Sequence, residues 1–187
     1  MPAVIVSAQP FILIRHGQTD ANRDGVIAGR IEAQLTETGR AAARALAEWA
    51  WPETITLFTS PQQRARETAA LGFPGHDPIL VDKLRERDWG RFEGRPVSEA
   101  PPREETPEGG EAWQDMIARV ATALRSAQDR AQGTFPVLVA HSGVVRAVRQ
   151  LTGGSQHGPS PANTTPYLFM PAPNGWREAV LQKKDNR

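Results

Sequence analysis

The chain has 187 residues, with 22 lysines and arginines against 21 aspartates and glutamates, for a formal net charge of +1. That length suits a single domain over residues 1–187, and the balanced charge gives no electrostatic footprint for nucleic acid. An apolar share of 39% argues against disorder, and the absence of cysteine excludes disulfides, a thiolate nucleophile and Cys-ligated metal sites.

Residues Met1 to Ile14 have neither a basic region nor a continuous apolar region of the kind that begins a secretory signal, and no stretch approaches the roughly 20 apolar residues of a membrane span. Cytoplasmic residence without a membrane partner is therefore expected, and the sequon at Asn163 reads as a chance match. Phe11-Ile12-Leu13-Ile14 is a short, wholly apolar run, the pattern of a strand buried on both faces of a parallel sheet. Thr36 is placed to cap a helix running to about Trp51, with Ala42, Leu46 and Trp49 on one face and Pro52 as its stop. A second strand is expected over residues 54–59, followed by Ser60-Pro61-Gln62-Gln63, which reads as a capping box with proline at the first helical position.

Trp113, Met116, Ile117, Val120, Leu124, Ala127 and Ala131 recur at spacings of three and four and predict a long amphipathic helix ended by Gly133. Val137-Leu138-Val139-Ala140 is a third buried strand, and Ser142-Gly143 opens a helix that buries Val144, Val145, Val148 and Leu151. Two apolar segments flank Pro173-Asn174-Gly175, the signature of a tight hairpin that adds antiparallel pairing to the sheet. Strands alternating with helices give an α/β three-layer sandwich, mainly parallel with an antiparallel edge strand. Residues 95–110 and 152–166 lack periodicity and are expected to loop over the sheet. The five tryptophans leave open a homodimer patch as well as simple core burial.

Three buried strands thus end at Arg15-His16-Gly17, at the Ser60 to Arg64 turn, and at His141-Ser142-Gly143. Ligands of open α/β sheets bind beyond the carboxyl ends of the strands, so these three groups are candidates to share one crevice. Arg64 would stand in the first turn of a helix, where the macrodipole opposes a cation, so it calls for an anion. An ion pair with Glu67 or Glu86 would answer that call, and structural hydrogen bonding would explain His16 and His141. Asp20, Arg23, Asp24 and the run Arg103-Glu104-Glu105 read as solvated surface charge.

Together these motifs resemble the histidine phosphatase superfamily, also called phosphoglycerate mutase-like. Arg15-His16-Gly17-Gln18-Thr19 with Asn22, Ser60-Pro61-Gln62-Gln63-Arg64-Ala65, Leu84-Arg85-Glu86, and His141-Ser142-Gly143-Val144-Val145-Arg146 occur in the family's order. The resemblance implies that His16 is a nucleophile that becomes phosphohistidine, with Arg15, Arg64 and His141 around the phosphoryl group and Glu86 protonating the leaving oxygen. Asn22, Gln18, Thr19 and Ser142 fall at or beside its phosphate-contacting positions. It also implies a phosphatase that needs no cofactor or metal, although His16 and His141 could alternatively be metal ligands.

Ala28-Gly29 and a chain with three lysines depart from true mutases, which favours hydrolysis over a mutase-type transfer. The segment at 87–110 is absent from the short phosphohistidine-protein phosphatases, which favours a small phosphorylated metabolite over a phosphoprotein. A phospho-ligand-binding member that no longer turns over is the alternative outside catalysis.

Overall fold

The computed structural model describes residues 8–185. One six-stranded sheet is built from β1 (Phe11–Arg15), β2 (Ile55–Thr59), β3 (Ile79–Leu80), β4 (Phe135–Ala140), β5 (Pro166–Ala172) and β6 (Gly175–Val180), in the order β3-β2-β4-β1-β5-β6. The first four strands of that order pair in parallel, while β5 and β6 are antiparallel. The expected antiparallel edge is therefore a two-stranded hairpin. Its turn residues are Pro173 and Asn174, and Gly175, at φ 129°, takes the position where a side chain would be strained.

Among the described residues five α-helices accompany the sheet: α1 (Asp20–Asp24), α2 (Glu37–Arg44), α3 (Gln63–Gly72), α4 (Trp113–Arg130) and α5 (Ser142–Leu151). Alternate residues of β1 divide between two cores, as period-2 geometry requires. Phe11 and Leu13 join Met116, Val120 and Leu124 of α4 and Val144 and Val148 of α5. Ile12 and Ile14 join Leu46, and Ala65 and Ala69 of α3, on the other face. The continuous apolar runs are thus strands covered on both sides, and the layers are helix, sheet and helix. Among the described residues no helix is long and apolar enough to cross a membrane.

Two boundaries differ from the sequence reading. Thr36 does cap α2, its Oγ1 accepting from the Gly39 amide at 3.0 Å. However, the helix tightens to a 3₁₀ turn over Ala45–Glu48, and Trp49 turns extended to bridge Lys183. Ser60 does not cap α3, which starts at Gln63 with Gln62 as its extended N-cap. The Ser60 hydroxyl is instead 2.8 Å from His141 Nε2 and accepts from the Gln62 amide at 3.3 Å. All five tryptophans are buried or half-buried within the chain.

Candidate active site

Strands β2, β4 and β1 lie side by side, so their carboxyl ends open at one edge. Backbone hydrogen bonds continue past the strands, from His16 N to Ala140 O at 2.9 Å and from Ser60 N to Val139 O at 3.0 Å. They set His16 and His141 next to each other, with ring centroids 5.2 Å apart in an edge-to-face arrangement. A cleft of about 270 Å³ opens there, and Arg15, His16, Asn22, Arg64, Glu86 and Ser142 contribute to its walls. Residues far apart in the chain are thus brought together by the topology.

His16 is 4% exposed, on a turn that leaves no room for larger residues. Gly17 N donates to Thr68 Oγ1 at 2.9 Å, and a Cβ on Gly17 would run into the Gly39 carbonyl. The His16 Nδ1 atom is 2.7 Å from Gly17 O. A carbonyl only accepts, so Nδ1 carries the proton and Nε2 keeps its lone pair. Burial first, then the Arg64 and Arg15 guanidinium charges, hold the imidazole well below its ordinary pKa and so in the neutral form. A neutral ring with its Nε2 lone pair free is able to attack an electrophile.

Arg64, 1% exposed, donates from Nη1 to Ile31 O at 2.9 Å and from Nη2 to Gly29 O at 2.7 Å. It makes no carboxylate pair among the described residues. Glu67 is taken by Arg40 at 2.6 Å. Arg15 donates to Pro161 O at 2.7 Å. Burial lowers the pKa of both arginines. Arg15 Nε, Arg64 Nε and His141 Nδ1 are all buried without a hydrogen-bond partner. Unpaired buried donors are costly, and those of Arg15 and Arg64, which line the cleft, suit a bound oxyanion; His141, fully buried behind His16, keeps a proton on Nδ1 only when Ser60 Oγ donates to its Nε2. His141 is likewise held well below its ordinary pKa, chiefly by burial and then by Arg64.

Glu86 reaches the cleft from the loop after β3. Its Oε1 accepts from Arg87 N at 2.7 Å and its Oε2 from Gly143 N at 3.1 Å. Thr19 and Asn22 cap each other's backbone at the start of α1 and line the cleft. Gln18 is not brought to the site, because its Oε1 accepts from Thr36 Oγ1 at 2.9 Å and ties the turn to α2. Glu111 is engaged by Arg119.

Residues that the sequence reading did not single out complete the site. Buried Gln62 donates to Gly29 O at 2.9 Å and accepts from Glu86 N at 2.7 Å, so it links the carbonyl that holds Arg64 to the Glu86 backbone. Arg119 donates to the carbonyls of Lys83 and Arg85, both at 2.8 Å, and so clamps the same segment. Asn163, seen above only as a chance sequon, donates to His16 O at 2.8 Å. Arg103, read as surface charge, is half-buried and lines the cleft together with Arg146. Among the described residues no cluster of three or more histidines and carboxylates is arranged to hold a metal ion.

The chain is 31% identical to a metal-independent phosphoserine phosphatase of Arabidopsis thaliana, over 74% of this chain and 66% of the relative. It is 33% identical to a probable phosphoglycerate mutase of Photorhabdus laumondii, over 69% of this chain and 67% of the relative. The chain thus spans about two thirds or less of the length of the curated relatives it matches. Its fold superposes on a mycobacterial glucosyl-3-phosphoglycerate phosphatase solved with VO3, with a TM-score of 0.76 and 26% identity, covering 95% of this chain and 100% of that one. The model of the histidine phosphatase superfamily (branch 1) matches residues 11–177, which hold every strand-end group described above, and the chain belongs to that family.

Proposed function

We propose that the chain is a phosphomonoesterase that hydrolyses a small phosphorylated metabolite through a phosphohistidine at His16. The observation that carries this reading is the neutral His16 ring with a free Nε2, set beside the buried Arg15 and Arg64 N–H groups that lack partners. In the first step Nε2 forms a bond to phosphorus as the ester P–O bond breaks. Arg15, Arg64 and His141 take the charge of the equatorial oxygens, which is most of what phosphoryl transfer asks of a protein. Glu86 is placed to pass a proton to the leaving oxygen. In the second step water attacks the phosphohistidine, Glu86 takes the proton back, and inorganic phosphate leaves. Asn22, Thr19 and Ser142 add polar contacts to the phosphoryl group. No step needs a cofactor or a metal.

The phosphatase names among the relatives support hydrolysis, while the mutase names among them keep transfer to a second hydroxyl as the competing reading. Rapid quench with a ³²P-labelled phosphomonoester tests the proposal. It should trap an acid-labile, base-stable phosphoenzyme that is absent in His16→Ala. Full activity in His16→Ala would end the nucleophile assignment, and binding without turnover in the unsubstituted protein would make it a phospho-ligand binder.

A further inference from the structure

The segment before β5 is held against the active-site turn more closely than its lack of periodicity suggests. Asn163 forms a parallel bridge with Arg15, and Thr164 N donates to Arg15 O at 2.8 Å. Pro161 O accepts from the Arg15 guanidinium at 2.7 Å, so backbone and side chain of Arg15 are tied to the same short segment. Thr164 has φ 53°, in the left-handed region, and is the one non-glycine with a positive φ among the described residues. A β-branched residue enters that region only against strain, and strained backbone persists where the surrounding contacts over-determine it. Here the left-handed turn carries the chain from the bridge with Arg15 into β5, whose first residue, Pro166, pairs with Ile14. Thr164 Oγ1 donates to Asn163 O at 2.8 Å and braces the turn.

What the turn delivers is the Asn163 side chain. The chemistry of the partners decides which end of each amide points where. His16 O, a carbonyl, only accepts, so the atom 2.8 Å from it is Asn163 Nδ2. Thr19 N only donates, so the atom 3.2 Å from it is Asn22 Oδ1. The second Nδ2 hydrogen of Asn163 then falls on that same oxygen, at 3.3 Å. With Oδ1 held by two donors, Asn22 keeps Nδ2 without a hydrogen-bond partner among the described residues, and Asn22 lines the cleft. Were the Asn22 amide reversed, its NH2 would face two other donors and its oxygen would face the phosphoryl oxygens. Asn163 is not among the residues that line the cleft, so it acts through Asn22.

We propose that Asn163 is a positioning residue: it fixes the Asn22 amide with its N–H donors towards the cleft, where they meet an anionic oxygen of the bound phosphoryl group. This deepens the phosphatase reading and rests on it for what the cleft binds.

The test is a double-mutant cycle read by calorimetry with inorganic phosphate. Asn22→Ala keeps the backbone half of the α1 cap, in which Asn22 N donates to Thr19 Oγ1 at 3.1 Å. It should weaken phosphate binding about tenfold, the usual loss of a hydrogen bond to a charged group. Asn163→Leu, similar in size but without donors, should weaken it about fivefold, yet by less than about twofold when Asn22 is already alanine. A loss of equal size in both backgrounds, no loss in either, or no phosphate binding by the unsubstituted protein overturns the positioning role. Side-chain ¹H–¹⁵N spectra give a second measurement. Added phosphate should shift the Asn22 NH2 pair in the unsubstituted protein and leave it in place in Asn163→Leu, and an equal shift in both overturns the proposal too. Asn163→Ala repeats the cycle if the leucine variant does not fold, and a chain that folds with neither has a structural asparagine and no positioning role. Failure of the phosphatase reading looks different: the coupling of Asn22 to Asn163 is found, while the unsubstituted protein releases phosphate from neither p-nitrophenyl phosphate nor 3-phosphoglycerate.

Discussion

Gly143 and Glu86, 57 residues apart, are fitted to each other: the Gly143 amide donates to Glu86 Oε2 at 3.1 Å, and a Cβ on Gly143 would occupy the place of the carboxylate. The turn that carries His141 therefore also determines where Glu86 ends. A carboxyl group that protonates a leaving oxygen matters most when that oxygen leaves poorly. Glu86→Gln should slow alkyl phosphates by about 10² to 10⁴ and p-nitrophenyl phosphate much less. Gly143→Ala, whose Cβ would displace the carboxyl group while leaving its chemistry intact, should reproduce that pattern. Steady-state rates on both ester classes decide it, and equal losses on the two would make Glu86 a binding group.

Arg64 is the cation to test for metal independence. Its two backbone partners, Gly29 O and Ile31 O, fix the guanidinium but carry no counter-charge. Arg64→Ala should cost about 10² to 10³ in kcat, the usual effect of removing one preorganised charge-stabilising donor. Exhaustive EDTA treatment should leave the unsubstituted enzyme active. Inactivation by chelator, reversed by a divalent ion, would mean that His16 and His141 serve a metal instead.

Much of this site could be read before any coordinates, because His16, Arg64 and His141 each follow a buried strand, and parallel strands must end together. What escaped the reading depended on where a side chain goes once distant segments meet. Ser60 has capping-box spacing, yet its hydroxyl is drawn to His141, 81 residues away. Arg103 sits beside two glutamates and looks solvated. It is half-buried because Arg87 Nη2, donating to Glu105 O at 2.8 Å, ties that loop down and both guanidinium groups lie over Trp89 and Trp113. Gln18 lies inside the most specific motif, but the tight Gly17–Gly39 approach turns it towards Thr36. Local pattern identifies elements and their ends, whereas side-chain destinations follow from packing.

The two buried histidines make stability depend on pH. Both have folded pKa values well below 6.5, whereas in the unfolded chain they titrate near about 6.5. Below that pH the unfolded state binds protons that the folded state refuses, so stability falls with falling pH and is flat above it. Each histidine should raise the unfolding constant about tenfold per pH unit in that window. Denaturant melts between pH 5 and 7, above the range of ordinary carboxylates, would reveal it. His141→Gln should halve the slope of log K against pH, and an unchanged slope would refute the assignment.

Hydrolysis against isomerisation turns on charge as well as on access. A mutase has to retain a bisphosphorylated carboxylate between its two transfers, a load of about −5. Four arginines line the cleft among the described residues, so its charge falls short of that load. Val97, 57% exposed, stands on the cleft wall, so the cleft is open to solvent, and on the proposed mechanism water would reach a phosphohistidine once the dephosphorylated product departs. A phosphomonoester should therefore release inorganic phosphate at every turnover, with no dependence on a bisphosphate primer. With 3-phosphoglycerate and a trace of 2,3-bisphosphoglycerate, phosphate release should exceed formation of 2-phosphoglycerate, both followed by ³¹P NMR. Isomerisation outpacing phosphate release by about tenfold would reverse the assignment. In that case the loop at residues 95–110 would supply the carboxylate contacts that retain the intermediate.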